Sequence, residues 1–162
     1  MKNKIIEESI QSLQREGLKF SVDTLAEKLK ISKKTVYKYF PTKEALAYAI
    51  YERYYTDLKD EIKHLVLKKE KITEKELLLC YFASAKMAYK EIFNKYCLNE
   101  VIGKFALQYH LDIWNLIKPH ICDKMTDNEA EIYKIITDGA FDKAIECRAN
   151  AEAVIEMLRK LK

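Results

Sequence analysis

Between Phe20 and Leu46 the chain reads FSVDTLAEKLKISKKTVYKYFPTKEAL, and the chemistry these residues offer is the binding of a polyanion. Six lysines (Lys28, Lys30, Lys33, Lys34, Lys38 and Lys43) fall between residues 28 and 43 with no acidic residue among them. Ammonium groups neutralise phosphates, which gives salt-dependent affinity carrying little sequence information. Thr35 adds a hydroxyl able to bond a base edge and a methyl able to pack on thymine, while the phenols of Tyr37 and Tyr39 suit phosphate oxygens. The bland reading of the same residues is a solvated lysine face with Tyr37 and Phe40 as packing residues.

Catalytic chemistry finds no comparable support. The sequence has no Ser/His/Asp order, nucleophile elbow or phosphate-binding Gly loop, so no enzyme is expected and no cofactor. Acids on helix faces, such as Asp112, read as solvated. Cys80, Cys97, Cys122 and Cys147 are far apart, and His64, His110 and His120 form no His-x-x-x-His pair. His120-x-Cys122 is the nearest approach to a metal pair, and structural roles are the better reading.

The elements that position the lysines follow from local signals. Ser21 precedes Val22, Leu25, Ala26 and Leu29, the spacing of one helix face. Its hydroxyl suits an N-cap, and Asp23 in the first turn complements the helix dipole. Lys30-Ile31-Ser32 interrupts the pattern, and Ser32 caps a second short helix over residues 33–39. Two helices joined by such a turn match the motif whose second helix enters the major groove. Ala26 is small where the helices cross, and Ile31 and Val36 plug the wedge between them. After Phe40-Pro41, Thr42 caps a third helix, whose first amides at Lys43 and Glu44 would face an anion.

Composition sets the frame. With 162 residues but three Gly and two Pro, the chain has little material for turns or strands and reads as all-α. Residues 1–46 hold 10 Lys+Arg against 6 Asp+Glu, which leaves 19 of each to residues 47–162; the whole +4 excess sits in the first 46 residues. No uncharged apolar run approaches the roughly 18 residues of a membrane span. The N-terminal MKNKIIEESIQSL carries acids and reads as a helix packing Ile5, Ile6, Ile10 and Leu13, not as a signal peptide. A cytoplasmic location and reduced cysteines are expected.

Beyond Thr42 the helical pattern runs through Leu46, Ile50, Tyr54, Leu58, Ile62 and Leu65, a helix long enough to bridge two domains. Lys68-Lys69-Glu70-Lys71 reads as a loop. Thr73-x-x-Glu76 is a capping box opening a helix with Leu77, Leu78, Tyr81, Ala85, Ala88, Ile92 and Phe93, ending near Tyr96. Val101, Ile102, Phe105, Tyr109, Ile113, Trp114 and Ile117 mark the next, expected to stop before Pro119. A second box, Thr126-x-x-Glu129, starts a stretch patterned by Ile132, Ile136 and Ala140, and Asn150 caps a last helix with Val154, Ile155, Leu158 and Leu161.

Gly17, Ser21-Val22, Leu25-Ala26, Ile31-Ser32, Thr35-Val36-Tyr37-Lys38-Tyr39-Phe40 and Lys43-Glu44-x-Leu46 together resemble the N-terminal signature of tetracycline-repressor (TetR) family transcription regulators. The resemblance covers about the first 46 residues. It implies a three-helix DNA-binding domain (1–46), joined by a long helix to a helical effector-binding and dimerisation domain (47–162) that is shorter than the family norm. It also implies DNA contacts from Lys34, Thr35, Tyr37, Lys38 and Tyr39, with Lys43 holding a phosphate; Ser21 and Lys33 complete the candidate set. Two departures stand out: Lys30 occupies a turn position usually taken by Gly, and Lys34 a position often small. In the resembled family the last two helices dimerise as a four-helix bundle, and here a single helix, 150–161, follows the segment 135–143.

The leading expectation is therefore a homodimeric regulator, most often a repressor in that family, which binds a palindromic operator in double-stranded DNA and is released by a small-molecule effector. Tyr81, Met87, Tyr89, Phe105, Tyr109, His110 and Trp114 are candidates to line the effector pocket, against an ordinary-core reading of each. One alternative makes oxidation of Cys80 or Cys97 the trigger. Another is a helical adaptor with nonspecific DNA affinity.

Overall fold

The computed structural model describes residues 1–16, 21–68, 73–88 and 100–161, and among these every regular element is a helix. In chain order they are α1 (Lys2–Glu16), α2 (Val22–Lys28), α3 (Lys33–Tyr39), α4 (Lys43–Leu67), α5 (Glu74–Ala88), α6 (Glu100–Ile121), α7 (Asp127–Cys147) and α8 (Ala151–Arg159). The expected all-α class is what the chain adopts. Cys97, Tyr89 and most of the expected loop at residues 68–71 lie outside the described residues.

The described residues form two compact units, one within Met1–Thr56 and Lys90–Ala106, the other within Asp57–Tyr89 and Leu107–Lys162. In the first, α1 packs on α2 and α2 on α3. Ile5, Leu13, Leu25, Ala26, Val36, Phe40, Leu46 and Ile50 form its apolar interior. The inward face of α1 also carries Ser9 and Ser12, both buried; Ser9 Oγ donates to the Ile5 carbonyl at 2.6 Å, while Lys28 Nζ donates to Ser12 Oγ at 3.1 Å. Farther along α4, Tyr51 stacks on Tyr55, and Tyr54 meets Tyr55 edge-on.

In the second unit α5, α7 and α8 pack mutually. Each expected cap is formed. Thr73 and Glu76 exchange bonds at the start of α5, Thr126 and Glu129 do so at α7, and Asn150 Oδ1 accepts from the Ala153 amide at α8. These backbone and hydroxyl donors hold the Glu76 and Glu129 carboxyls below the usual carboxylate range. Lys59 Nζ lies 2.7 Å from Asp112 Oδ2 and 4.8 Å from the Tyr109 ring centre. Asp112 is thus an ion-paired residue rather than the solvated acid its helix position suggests, and the hydrogen bond from Lys59 lowers its pKa.

Two helices depart from expectation. α6 does not stop before Pro119 but continues to Ile121, with Pro119 inside it. Proline removes one amide and frees the carbonyl of Asn115, a turn earlier. Both residues are exposed, so water can serve that carbonyl, while Ile117, Ile121 and Cys122 are buried and hold the last turn in place. On α7 the inward face is Ala130, Tyr133, Thr137, Phe141 and Ala144, not the Ile132/Ile136 stripe. Ile132, Ile135 and Ile136 are 48%, 63% and 42% exposed. Tyr133 and Phe141 are bulkier than the isoleucines and fill the space against α5, where Phe82 meets Phe141 edge-on at 5.0 Å. Leu161, expected among the apolar residues of α8, is exposed as well.

The turn between α2 and α3 bears a measurable strain. Lys30 has φ 52°, a left-handed conformation that costs a non-Gly residue about 1–2 kcal/mol. Lys30→Gly should therefore raise unfolding stability by about 1 kcal/mol, read as a shift in denaturation midpoint. An unchanged or lowered midpoint would show that the lysine is not strained there.

Candidate functional site

The interface is built by two helix starts of the same chemistry. At α2, Ser21 Oγ accepts from the Thr24 amide at 3.1 Å and shares a 2.8 Å hydrogen bond with the Thr24 hydroxyl. At α3, Ser32 Oγ accepts from the Thr35 amide at 3.1 Å and shares a 2.9 Å bond with the Thr35 hydroxyl. Between them, Lys30 N–H donates to the Glu27 carbonyl and Ile31 N–H to the Ala26 carbonyl, both at 3.0 Å. This pairing caps the carboxyl end of α2 and turns the chain tightly. Buried Ala26 and Val36 lie on the packed faces of the two helices, with Ile31 partly covered beside them.

Of the candidate DNA contacts, Lys33, Lys34, Tyr37, Lys38, Tyr39 and Lys43 are exposed, while Ser21 and Thr35 are half-buried and engaged in the caps. Tyr37 and Tyr39 are 37% and 39% exposed, unusual for residues of this size, whereas Phe40 is core. Lys33 is ion-paired with Asp23 of α2. At α4, Thr42 Oγ1 accepts from the Ala45 amide at 3.1 Å. That leaves the amides of Lys43 and Glu44 in a first turn whose donors lie beyond reach of intrahelical carbonyls. Sequence reading missed the paired Ser-x-x-Thr arrangement, although both copies, Ser21/Thr24 and Ser32/Thr35, were visible in it.

The effector-pocket candidates divide. Phe105 belongs to the first unit, edge-on to Tyr48 at 5.0 Å. Tyr109 lies beneath Lys59, and Met87 is buried. Tyr81, His110 and Trp114 do come together. Tyr81 stacks on His110 at 4.4 Å and lies 5.2 Å from Trp114 and 5.9 Å from Phe141.

Within that cluster Tyr81 OH donates to Asp138 Oδ1 at 2.6 Å, Lys134 Nζ donates to Asp138 Oδ2 at 2.5 Å, and Ser84 Oγ is 2.7 Å from His110 Nδ1. The fold thus assembles a Ser84/His110/Asp138 set that the linear sequence did not reveal. It is ill-suited to acyl transfer: Ser84 is fully buried, and His110 Nε2 is 4.0 Å from Asp138, beyond hydrogen-bonding range. Burial pushes the His110 pKa down to about 4; Asp138 acts to raise it and Lys134 to lower it further. Thr137 Oγ1, beside Asp138, is buried with no hydrogen-bond partner among the described residues.

Burial raises the Cys80 thiol to about 11, assisted by Glu61 and Glu76, which opposes thiolate chemistry there. No group of His, Cys, Asp and Glu among the described residues is placed to hold a metal ion. No helix among them is long and apolar enough to cross a membrane.

Comparison with known proteins finds relatives of the same segment. Residues 5–50 match the family described as "Bacterial regulatory proteins, tetR family". A protein of Bacillus subtilis (strain 168), described as "Uncharacterized HTH-type transcriptional regulator YvaF", is 27% identical over 114 residues, 70% of this chain and 56% of that relative. The match thus spans little more than half the relative's length. No solved structure matches the chain.

The histidine cluster carries a pH signature. A folded pKa of about 4, below the ordinary 6.5, means the unfolded chain takes up the His110 proton first as pH falls. Its contribution to stability is therefore present above pH 6.5 and lost on acidification towards pH 4. Between pH 7 and pH 5 the wild type should lose about 2 kcal/mol more than His110→Asn in denaturant titrations. Equal losses would mean that His110 is not held neutral.

Proposed function

We propose that this chain, which carries the tetR-family domain, is a transcription regulator that binds a palindromic operator as a homodimer and is released by a small-molecule effector. The observation that carries the reading is α3, capped by Ser32 and set on α2 by the tight turn, with exposed Lys34, Tyr37, Lys38 and Tyr39 on its surface. Residues 1–46 act as the DNA-reading domain and residues 47–162 as the effector and dimerisation domain. Repression is the mode proposed, because a bound dimer blocks other proteins from the same DNA.

Dimerisation is supported by what α7 and α8 leave uncovered. Ile132, Ile135 and Ile136 on α7, Met157 on α8 and Leu161 just beyond α8 are exposed apolar residues. An open groove of about 460 Å³ lies between the two helices, lined by Ala140, Ala149, Ala153, Val154 and Met157 among others. A side chain added at Gly139 would meet open space. Small residues beside larger apolar ones permit close approach of a second helix pair, and a patch of this kind marks an interaction site. Two copies would also supply the paired half-sites that one seven-residue recognition helix cannot read alone.

The effector site is proposed at Tyr81, His110 and Trp114, where stacked rings meet the polar groups of Ser84 and Asp138. A ligand displaces DNA there if it binds the released conformation more tightly than the DNA-bound one. Tyr81, Ser84, His110 and Asp138 serve recognition in this reading, not catalysis.

Selection of random duplex DNA on the purified protein should enrich an inverted repeat; a flat preference would favour the adaptor reading instead. On the selected site, Thr35→Ala should relax preference at one base position by about 1–3 kcal/mol. Lys43→Ala should weaken all sequences alike and shallow the salt slope by about one. The reverse pattern would exchange their roles. Ile136→Glu should convert the dimer to monomer in sedimentation velocity and abolish operator binding, and a dimer that survives it would place the interface elsewhere.

A further inference from the structure

We propose that Asp23 removes Lys33 from the set of cations that neutralise DNA phosphates, and so sets the salt dependence of DNA binding. The inference rests on reading α3 as the DNA-contacting helix. It gives a role to an acidic residue at the edge of a lysine-rich surface.

Asp23 is the second residue of α2 and Lys33 the first of α3, and their side chains pair across the two helix starts. The caps at Ser21 and Ser32 hold both starts in place, so the pair spans two fixed points rather than two frayed ends. Both side chains remain more than half exposed, 59% for Asp23 and 56% for Lys33. An exposed pair of this kind adds little to folding stability, so its consequence is electrostatic. Asp23 also gains from the positive end of the α2 dipole, which favours a carboxylate in that first turn.

A phosphate approaching α3 meets three different situations. Lys34 and Lys38 each offer a net positive charge on α3, and Lys43 does so at α4. Lys33 offers a pair of no net charge. For Lys33 to move onto the phosphate, Asp23 must be left facing a polyanion without its partner. Opening the pair would leave an uncompensated carboxylate beside the phosphates, so Lys33 adds no net phosphate contact and no counterion is released from DNA on its account. Lysine counting overstates the electrostatic grip of this segment by one contact per protomer. Less nonspecific grip means less of the protein is held on competing DNA.

The test is the slope of log affinity against log salt for an operator duplex and for a random-sequence duplex of equal length. Asp23→Asn keeps the shape and removes the charge; it should steepen the slope by about 0.9 per protomer and raise random-duplex affinity several-fold at low salt. Asp23→Asn combined with Lys33→Ala should restore the wild-type slope. Lys33→Gln alone should lower affinity while leaving the slope unchanged, a readout that a purely structural role would not produce. The proposal is overturned if Asp23→Asn leaves the slope unchanged or shallows it, or if Lys33→Gln shallows it by about one; Lys33 would then already sit on a phosphate. Lys34→Ala separates this from failure of the DNA reading. A shallower slope in that variant upholds α3 as the contact helix whatever Asp23 does. Wild-type protein without salt-dependent DNA binding would sink both.

Discussion

The placement of α3 depends on one tight turn. Ala26 and Glu27 on α2 give their carbonyls to the amides of Ile31 and Lys30, and this requires residue 30 to adopt positive φ. Glycine would do so without strain, yet the chain carries lysine. The arrangement persists because both carbonyls are satisfied, Val36 and Ala26 are buried, and Ser32 immediately caps the next helix. Loosening any of these would let α3 rotate on α2, and the exposed lysines and tyrosines would no longer share a surface. Arg148 repeats the device at the end of α7, with φ 54° and the Ala149 amide bonded to the Ala144 carbonyl at 2.8 Å. The second turn sets α8 against α7 much as the first sets α3 on α2.

Polar burial is handled differently in the two units. In the first, each buried serine of α1 bonds one turn back, Ser9 to the Ile5 carbonyl and Ser12 to the Glu8 carboxylate, with Lys28 of α2 added at Ser12. In the second, partners far apart in sequence meet: Ser84 with His110, Tyr81 with Asp138, and Tyr133 with Glu74. A network of that kind rigidifies a core when complete, and each missing partner is costly. Burial keeps His110 neutral within this network, and Thr137 Oγ1, also buried, has no hydrogen-bond partner among the described residues.

What the sequence disclosed follows the range of the interactions concerned. Helix starts were legible because a Ser, Thr or Asn cap bonds an amide three residues on, as at Ser21, Ser32, Thr126 and Asn150. The helix-turn-helix was legible for the same reason, down to the strained Lys30. Periodicity failed on α7 because both faces are apolar, and only the partners α5 and α8 select Tyr133 and Phe141 over Ile132 and Ile136 for the interior. Pro119 misled because its cost falls on an exposed carbonyl, whereas the gain comes from burying Ile121 and Cys122. Asp112 looked solvated because its partner, Lys59, is 53 residues away.

The same distinction bears on how an effector could act. α4 and α6 each contribute to both units: Tyr48 of α4 meets Phe105 of α6 in the first, and Lys59 of α4 pairs with Asp112 of α6 in the second. His110, stacked on Tyr81, lies on α6 between Tyr109 beneath Lys59 and Asp112. A ligand that displaced the Tyr81–His110 stack would therefore disturb α6 within two residues of its ion pair with α4. Lys59–Asp112 is partly exposed and so cheap to break, whereas the aromatic contact is apolar and costly to expose. If the proposed effector site is the right one, the contact of α6 with α4 nearest to it is the ion pair, which costs little to break.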